Sequence, residues 1–159
     1  MIVVADTSPI NYLVLIKEID LLPSLFGRVL LPDSVFLELK HPKSPSEVRD
    51  WISRPPAWLE VRMVNAVATP QLMQLDVGER QAIQLALECG ADALLMDETE
   101  GRQIAESLRL QVRGTLGILE RAAKLKLVDF RDVLTRLDQT SFRVSPTVRK
   151  AFLSRNTFS

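Results

Sequence analysis

The chain alternates short apolar runs with longer amphipathic segments, which is the pattern of an α/β fold. The first run, residues 2–5, is apolar throughout and stops at Asp6. A short run without a polar face is typical of a strand that is buried on both sides in a parallel sheet. Residues 93–96 repeat this pattern and stop at Asp97. Three further strands, the second of them an edge strand, are predicted at residues 29–31, 58–64 and 111–113.

Helices are predicted between these strands. The clearest helix begins after Asp76, a good N-cap residue, and closes at Gly90, a good C-cap residue. Its inward stripe is predicted to contain Ala82, Ile83, Ala86 and Leu87. Ser8 is expected to cap the first helix, with Pro9 in the first helical position. The other helices are predicted at residues 10–16, 21–26, 35–40, 46–52, 98–110, 114–126, 130–137 and 145–153.

Length and composition are those of one globular domain, residues 1–159, which is large enough to bury a core by itself. Hydrophobic residues make up 47% of the chain, and no apolar run approaches the roughly 20 residues needed to span a bilayer. The first residues lack the basic segment of a secretory signal, so we expect a cytoplasmic protein without a membrane partner. The single Cys89 excludes an internal disulfide, and the single His41 leaves too few ligands for a typical zinc site.

The net charge is zero, but the charges are unevenly distributed. Residues 1–100 carry 8 Lys and Arg against 15 Asp and Glu, whereas residues 101–159 carry 12 against 5. Such polarity suits a protein that gathers carboxylates at one place and binds a polyanion at another. The alternative is that the charges merely solvate helix faces, and the pattern leaves both open.

Carboxylates follow two of the predicted strands. Because the carboxyl ends of parallel strands meet at one edge of a sheet, we expect Asp6 and Asp97 on the rim where ligands bind in open α/β folds. Two neighbouring anions raise each other's pKa unless a cation lies between them, and a divalent metal is the simplest resolution. Asp6 considered alone also suits a turn or a helix cap.

Four other carboxylates are candidates for the same edge of the sheet. Glu38 interrupts an apolar helix, so it either faces solvent or points into a polar site. Glu79 continues the inward stripe of its helix, although its spacing from Asp76 also fits a capping box. Glu98 and Glu100 open the next helix, where they either bind metal or water or stabilise the helix N-terminus.

Four of these acids follow the order strand end, helix, helix start and second strand end, at Asp6, Glu38, Glu79 and Asp97. This order resembles the PIN-domain nucleases, and more narrowly the PIN-like toxin ribonucleases of bacterial and archaeal toxin–antitoxin pairs. The stretches that carry the resemblance are residues 4–9, 35–39, 76–79, 82–86, 94–97 and 114–117. They cover a core of residues 1–126 and leave residues 127–159 as a C-terminal helical segment.

The resemblance implies a three-layer α/β/α sandwich with a central, mainly parallel sheet. It also implies an acidic pocket that binds magnesium or manganese through Asp6, Glu38, Glu79 and Asp97. Thr7 or Ser8 would then act as a supporting hydrogen-bond donor. Many family members have an aspartate where this chain has the longer Glu79. Carboxylates suit Mg²⁺, which keeps several of its waters, and a metal-activated water requires no catalytic histidine or serine.

The implied activity is metal-dependent hydrolysis of RNA phosphodiester bonds by the toxin of a toxin–antitoxin pair, so we expect an antitoxin partner and a homodimer. Surfaces expected for these partners are the apolar helix at residues 10–16 and a proline-rich excursion with Trp51 and Trp58. The residues expected to contact RNA phosphates are Arg102, Arg109, Arg113, Arg121, Lys124 and Lys126. The alternatives are a non-catalytic PIN-like module that binds RNA or protein and, more remotely, a phosphotransfer or receiver domain.

Overall fold

A single parallel sheet forms the centre of the protein. The computed structural model describes residues 1–65 and 69–156. Its strands are β1 (Ile2–Ala5), β2 (Arg28–Pro32), β3 (Leu59–Arg62), β4 (Ala93–Leu95) and β5 (Val112–Arg113). They pair in the order β3-β2-β1-β4-β5, and every pairing is parallel. The most apolar strand, β1, therefore lies in the middle, as a run without a polar face predicts.

Helices connect the strands, and they alternate with them as a parallel sheet requires. In the described residues they are α1 (Thr7–Leu15), α2 (Leu21–Phe26), α3 (Asp33–Leu39), α4 (Ser46–Ser53), α5 (Val77–Cys89), α6 (Thr99–Ser107), α7 (Thr115–Lys124), α8 (Phe130–Asp138) and α9 (Pro146–Asn156). None of them has the length and apolar character needed to cross a bilayer. Residues 157–159 of the predicted C-terminal helical segment lie outside the described residues.

The sheet separates two hydrophobic cores, because side chains of a strand alternate between its faces. Val3 and Ala5 of β1 join a large core with residues of α1, α2, α4, α7 and α8, whereas Val4 joins a smaller core with α5 and α6. All three side chains are fully buried. The predicted α/β fold, with helices on both faces of a parallel sheet, is therefore confirmed.

The first turn differs from its prediction. Helix α1 begins at Thr7, with Asp6 in the N-cap position. Ser8 is therefore inside the first helical turn and does not cap the helix, and Pro9 stands in the third helical position. This position tolerates proline because the first four N–H groups of a helix have no intrahelical acceptor. The Ser8 hydroxyl is consequently available for a contact elsewhere.

One other prediction about packing is wrong. The proline-rich segment is no excursion from the core, since Val48 and Ile52 of α4 are fully buried and the Trp51 ring centroid lies 5.9 Å from that of Trp58. The apolar residues of α1 also pack inside the protein, because Ile10 and Leu13 are completely buried. These buried side chains are not available to a partner, but Trp51 and Trp58 are only partly buried, so docking of a partner on either segment stays a prediction.

The inward stripe of α5 also needs one correction. Leu87 is 45% exposed, whereas Leu85 is almost fully buried together with Ala82, Ile83 and Ala86. The sequence is apolar at residues 85, 86 and 87 alike, so the local pattern could not decide which leucine turns inward.

Candidate active site

Asp6 and Asp97 lie at the topological switch point of the sheet. The chain leaves β1 on one side to form β2 and β3, then crosses to the other side for β4 and β5. The N–H of Asp6 donates to the carbonyl oxygen of Leu95 over 2.9 Å, which holds the ends of β1 and β4 side by side. In open α/β sheets, ligands bind in the crevice outside the strand ends at this point.

The carboxylate of Asp6 is buried but performs no structural task that would explain its burial. The residue is only 4% exposed, and although it occupies the N-cap position of α1, its side chain makes no capping hydrogen bond. Burial raises the pKa of Asp6 to about 7, and the nearby charges of Asp76, Glu38 and Asp97 add to this rise. A backbone hydrogen bond from Thr7 opposes the increase. The interpretation of Asp6 as a mere cap is thereby weakened.

Glu38 approaches the same place from α3. It is exposed, and its Oε2 accepts a hydrogen bond from the Thr7 hydroxyl over 2.8 Å. A Cβ atom on Gly78 would lie 3.0 Å from Oε2 of Glu38, 3.6 Å from Oδ1 of Asp6 and 3.7 Å from Oδ1 of Asp76. Three carboxylates from three different elements therefore surround the first turn of α5. Glu38 satisfies both open alternatives, since it is solvent-accessible and belongs to a polar site.

The start of α5 contributes two more acids. Oδ1 of Asp76 accepts a hydrogen bond from the N–H of Glu79 over 2.9 Å, so Asp76 caps the helix as the sequence predicts. Burial raises the pKa of Glu79 to about 8, helped by the charge and hydrogen bonding of Asp76 and by the charges of Asp6 and Glu98. The cap and the acid site coexist. Sequence reasoning placed Asp76 only as a cap, although its three-residue spacing from Glu79 was the available sign that both acids face one place.

Asp97 has a different environment, because its oxygens are held by hydrogen bonds. Oδ2 accepts from the hydroxyls of Ser8 and Thr115, and Oδ1 accepts from the Thr115 N–H, all over 2.7 Å. Thr115 is fully buried. Ser8 thus acts on Asp97 and Thr7 acts on Glu38, so each of the two predicted supporting donors fixes one acid.

The acids line a cavity of about 240 Å³, here called the acid pocket. Its lining residues are Asp6, Thr7, Ser8, Asn11, Tyr12, Glu38, Asp76, Glu79 and Glu98. Asp97 instead lines an adjoining cavity together with Glu98. Glu100 lines neither and lies in the exposed first turn of α6. Of the predicted candidates, the structure therefore brings Asp6, Glu38, Glu79 and Glu98 to one pocket, and it places Asp97 in the adjoining cavity.

The donor set of the acid pocket fits a hydrated divalent cation. Carboxylate oxygens are the ligands that Mg²⁺ and Mn²⁺ prefer. The raised pKa values of Asp6 and Glu79 reflect burial first and repulsion by neighbouring acids second, and a cation would offset both. In the part of the chain that the structure describes, no three Asp, Glu, His or Cys side chains are already arranged as a metal-binding group. Mg²⁺ keeps several of its waters in protein sites, so a few carboxylates suffice to hold it.

The predicted RNA-contacting residues divide into two sets. Arg102 and Arg113 line the cavity next to Asp97. The Arg121 guanidinium lies over the Phe26 ring, 5.5 Å from its centroid, and Lys124 is 3.8 Å from Glu120. Lys126 lines another cavity beyond the end of α7, and Arg109 follows the end of α6. Only the first set is near the acids.

Comparison with known proteins agrees with this arrangement. The sequence model of the PIN-domain family matches residues 2–157, nearly the whole chain. No curated protein and no solved structure shows significant similarity to the chain. The match, together with the five-stranded parallel sheet, shows that the chain belongs to the PIN-domain family.

Proposed function

We propose that this protein is a metal-dependent endoribonuclease. PIN domains are generally nucleases, and the observation that carries the proposal is the buried Asp6 carboxylate, whose pKa is raised to about 7 beside other acids at the sheet's switch point. Uncompensated carboxylates of this kind are costly for stability. A pocket that retains them is typical of a functional site.

In this proposal Asp6, Glu38, Glu79 and Asp97 hold magnesium or manganese, and Asp76 completes the acidic wall. When bound there, the cation would activate a water molecule for attack on phosphorus and stabilise the leaving oxygen. The protein's own contribution is orientation. Thr7 holds the Glu38 carboxylate, while Ser8 and Thr115 hold that of Asp97, so these acids need little rearrangement when substrate binds.

The finer assignment is that the protein is the toxin of a toxin–antitoxin pair. It rests on the order of the four acids along the chain, which resembles that of the toxin ribonucleases. An antitoxin protein and a homodimer go with this assignment, as does a cytoplasmic location where RNA is accessible. Co-expression with the product of a neighbouring reading frame tests it, since an antitoxin should relieve growth arrest caused by the protein alone.

A second candidate function is a non-catalytic PIN-like module that binds RNA or protein. It is favoured by the finding that, among residues 1–65 and 69–156, no three potential ligands are prearranged around one point. The two candidates differ in metal dependence. The module would bind RNA equally well with and without manganese and would leave it intact.

The decisive experiment is cleavage of a single-stranded RNA with magnesium, with EDTA and with the variant Asp6→Asn. We expect cleavage that requires magnesium and that falls by at least about 100-fold in Asp6→Asn, because charge stabilisation by the ion is worth several kcal/mol. Asp20→Asn is a matched control, since Asp20 also occupies an N-cap position without a capping hydrogen bond but lies outside the acid pocket. Cleavage that persists in EDTA, or full activity in Asp6→Asn, would contradict the proposal.

A further inference from the structure

A second cavity, here called the arginine cavity, adjoins the acid pocket. Its volume is about 620 Å³, in the range of pockets that hold ligands of a few hundred daltons. Three arginines from separate parts of the chain line it: Arg102 in α6, Arg113 at the end of β5, and Arg143 in the connection between α8 and α9. The sequence alone does not indicate that Arg143 meets the other two.

The three guanidinium groups make no ion pair within the described residues, although the carboxylates of Asp97 and Glu98 line the same cavity. None of the three arginines forms an ion pair or a side-chain hydrogen bond there, whereas other arginines of the same half of the chain do. Arg136, for example, is 3.1 Å from Glu18, and Arg149 is 2.7 Å from Asp138. Three arginines against two carboxylates leave the cavity with an excess of positive charge, which favours an anionic ligand.

The arginine cavity and the acid pocket are neighbours that share part of their walls. Ser8, Tyr12 and Glu98 line both of them. When one phosphodiester of an RNA strand lies over the acid pocket, the adjacent nucleotide of that strand therefore lies at the arginines. The position of the two cavities side by side thus favours a polymeric anion, because a single ion such as phosphate would occupy only one of them.

An aromatic pair forms part of the wall. The rings of Tyr12 and Phe142 are 4.9 Å apart and nearly perpendicular, and the Tyr12 hydroxyl is hydrogen-bonded to that of Ser141 over 2.8 Å. Both aromatic residues line the arginine cavity. Aromatic side chains beside unpaired arginines are the combination that binds single-stranded nucleic acids, through base stacking and phosphate contacts.

We propose that the arginine cavity is the subsite for the nucleotide next to the scissile phosphate of single-stranded RNA. This inference rests on the proposed nuclease function and assigns to named residues the nucleotide beside the cleaved bond. Arg113 and Arg143 bind the phosphate of that nucleotide, and Tyr12 and Phe142 contact its base. Base-paired RNA is disfavoured because its bases are stacked within the duplex and cannot reach the aromatic pair.

The test is the salt dependence of RNA binding, measured in EDTA so that no cleavage occurs, with a fluorescein-labelled hexauridylate as the probe. We expect Arg143→Gln and Arg113→Gln each to weaken binding at least about fivefold and to make the slope of log affinity against log salt concentration less negative by about 0.7. Arg131→Gln is the matched control, because Arg131 is an exposed residue of α8 and lines a different cavity. It should leave the slope unchanged.

Phe142→Leu separates stacking from charge. We expect it to weaken binding about tenfold with no change in the salt slope, since the substitution removes a ring but no charge. Thermal unfolding of each variant establishes that it is folded before its affinity is compared with that of the wild type.

The outcomes separate this inference from the proposed function. Unchanged affinity and slope in both arginine variants would overturn the subsite even if magnesium-dependent cleavage is normal, and would be the result if the cavity instead holds an acidic protein segment. Reduced slopes together with intact RNA in magnesium would support the binding site and overturn the nuclease assignment. The double variant Arg113→Gln with Arg143→Gln should then show a slope change of about 1.4.

Discussion

The ends of β1 and β4 carry the same sequence pattern and opposite environments. Residues 3–5 and 93–96 are buried apolar runs, and each is followed directly by an aspartate. At the end of β1, no side chain of the described residues donates a hydrogen bond to Asp6, and burial raises its pKa to about 7. At the end of β4, two hydroxyls and one backbone N–H donate to Asp97. The Asp6 carboxylate therefore lacks side-chain donors that a bound cation could replace, whereas the Asp97 carboxylate is fixed by three hydrogen bonds.

The difference teaches that a carboxylate at a strand end acquires its role from distant partners. Ser8 lies 89 residues from Asp97 along the chain, and Thr115 lies 18 residues away. These two donors reach Asp97 because α1 and α7 begin at the same edge of the sheet. Asp97 thus connects α1 and α7 to the end of β4 through its hydrogen bonds, whereas Asp6 contributes a carboxylate without a side-chain donor.

The largest effect that would sharpen this comparison is a difference in stability between two isosteric variants. We expect Asp97→Asn to lower the free energy of unfolding by about 2–4 kcal/mol, because an amide cannot accept all three hydrogen bonds and its NH₂ group faces donors. Asp6→Asn should be neutral or stabilising at pH 8, because it removes a buried charge. Urea denaturation measures both. Equal losses in the two variants would erase the distinction between the strand ends.

The next effect is the pH dependence of stability without metal. The pKa of Asp6 is about 7 in the folded state against an ordinary 3.8, so between these values the folded state holds more protons than the unfolded state. The stability of the protein therefore falls as the pH rises from 5 to 8, by about 3 kcal/mol from Asp6, and the raised pKa of Glu79 acts in the same direction. Asp6→Asn should remove most of this slope.

The pH window is chosen to avoid an opposite effect at the far end of the molecule. Although burial raises the pKa of Glu120, hydrogen bonds from Asn156 and Arg155 outweigh it and leave the pKa below its ordinary 4.5. The stabilisation from Glu120 is present above that value and is lost only as the pH falls further. A stability that rises from pH 5 to pH 8 in metal-free wild type would contradict the account.

The smallest effect concerns two glycines near Asp97. A Cβ atom on Gly114 would lie 2.9 Å from Oδ1 of Asp97 and 2.8 Å from Nη1 of Arg102, whereas one on Gly117 would meet nothing within 4 Å. We expect Gly114→Ala to cost about 1–2 kcal/mol, as overpacking does. Gly117→Ala should instead stabilise by up to about 1 kcal/mol, because Gly117 lies inside α7. A higher stability of Gly114→Ala than of Gly117→Ala in thermal denaturation would contradict the close packing of Gly114 against Asp97.

Much of the fold was predictable because it depends on local patterns. The apolar runs identified β1, β2 and β4, the alternation at residues 58–64 identified β3 as an exposed or edge strand, and Asp76 with Gly90 bounded α5. Turn chemistry was less reliable. Ser8 looks like a cap, yet its hydroxyl satisfies a carboxylate on another strand, because a tertiary hydrogen bond replaced the local one.

The site was predictable in location but not in detail. Two strand-end aspartates in a parallel sheet place carboxylates on one rim, and this required no knowledge of side-chain contacts. The sequence could not show that Asp76 joins Asp6 and Glu38 around Gly78, because these residues meet only through packing of α3 against α5. The approach of Arg143 to Arg102 and Arg113 was equally hidden, since it depends on where the connection before α9 lies.

The most direct test of the central claim, that the end of β1 is built to receive a divalent cation, is a calorimetric titration with Mn²⁺ at pH 8. At this pH most Asp6 carboxyls are ionised, given a pKa of about 7. We predict that the wild type and Asp20→Asn bind manganese with equal affinity, whereas Asp6→Asn shows no measurable binding. Binding by Asp6→Asn with the wild-type affinity, or no binding by the wild type, would contradict the claim.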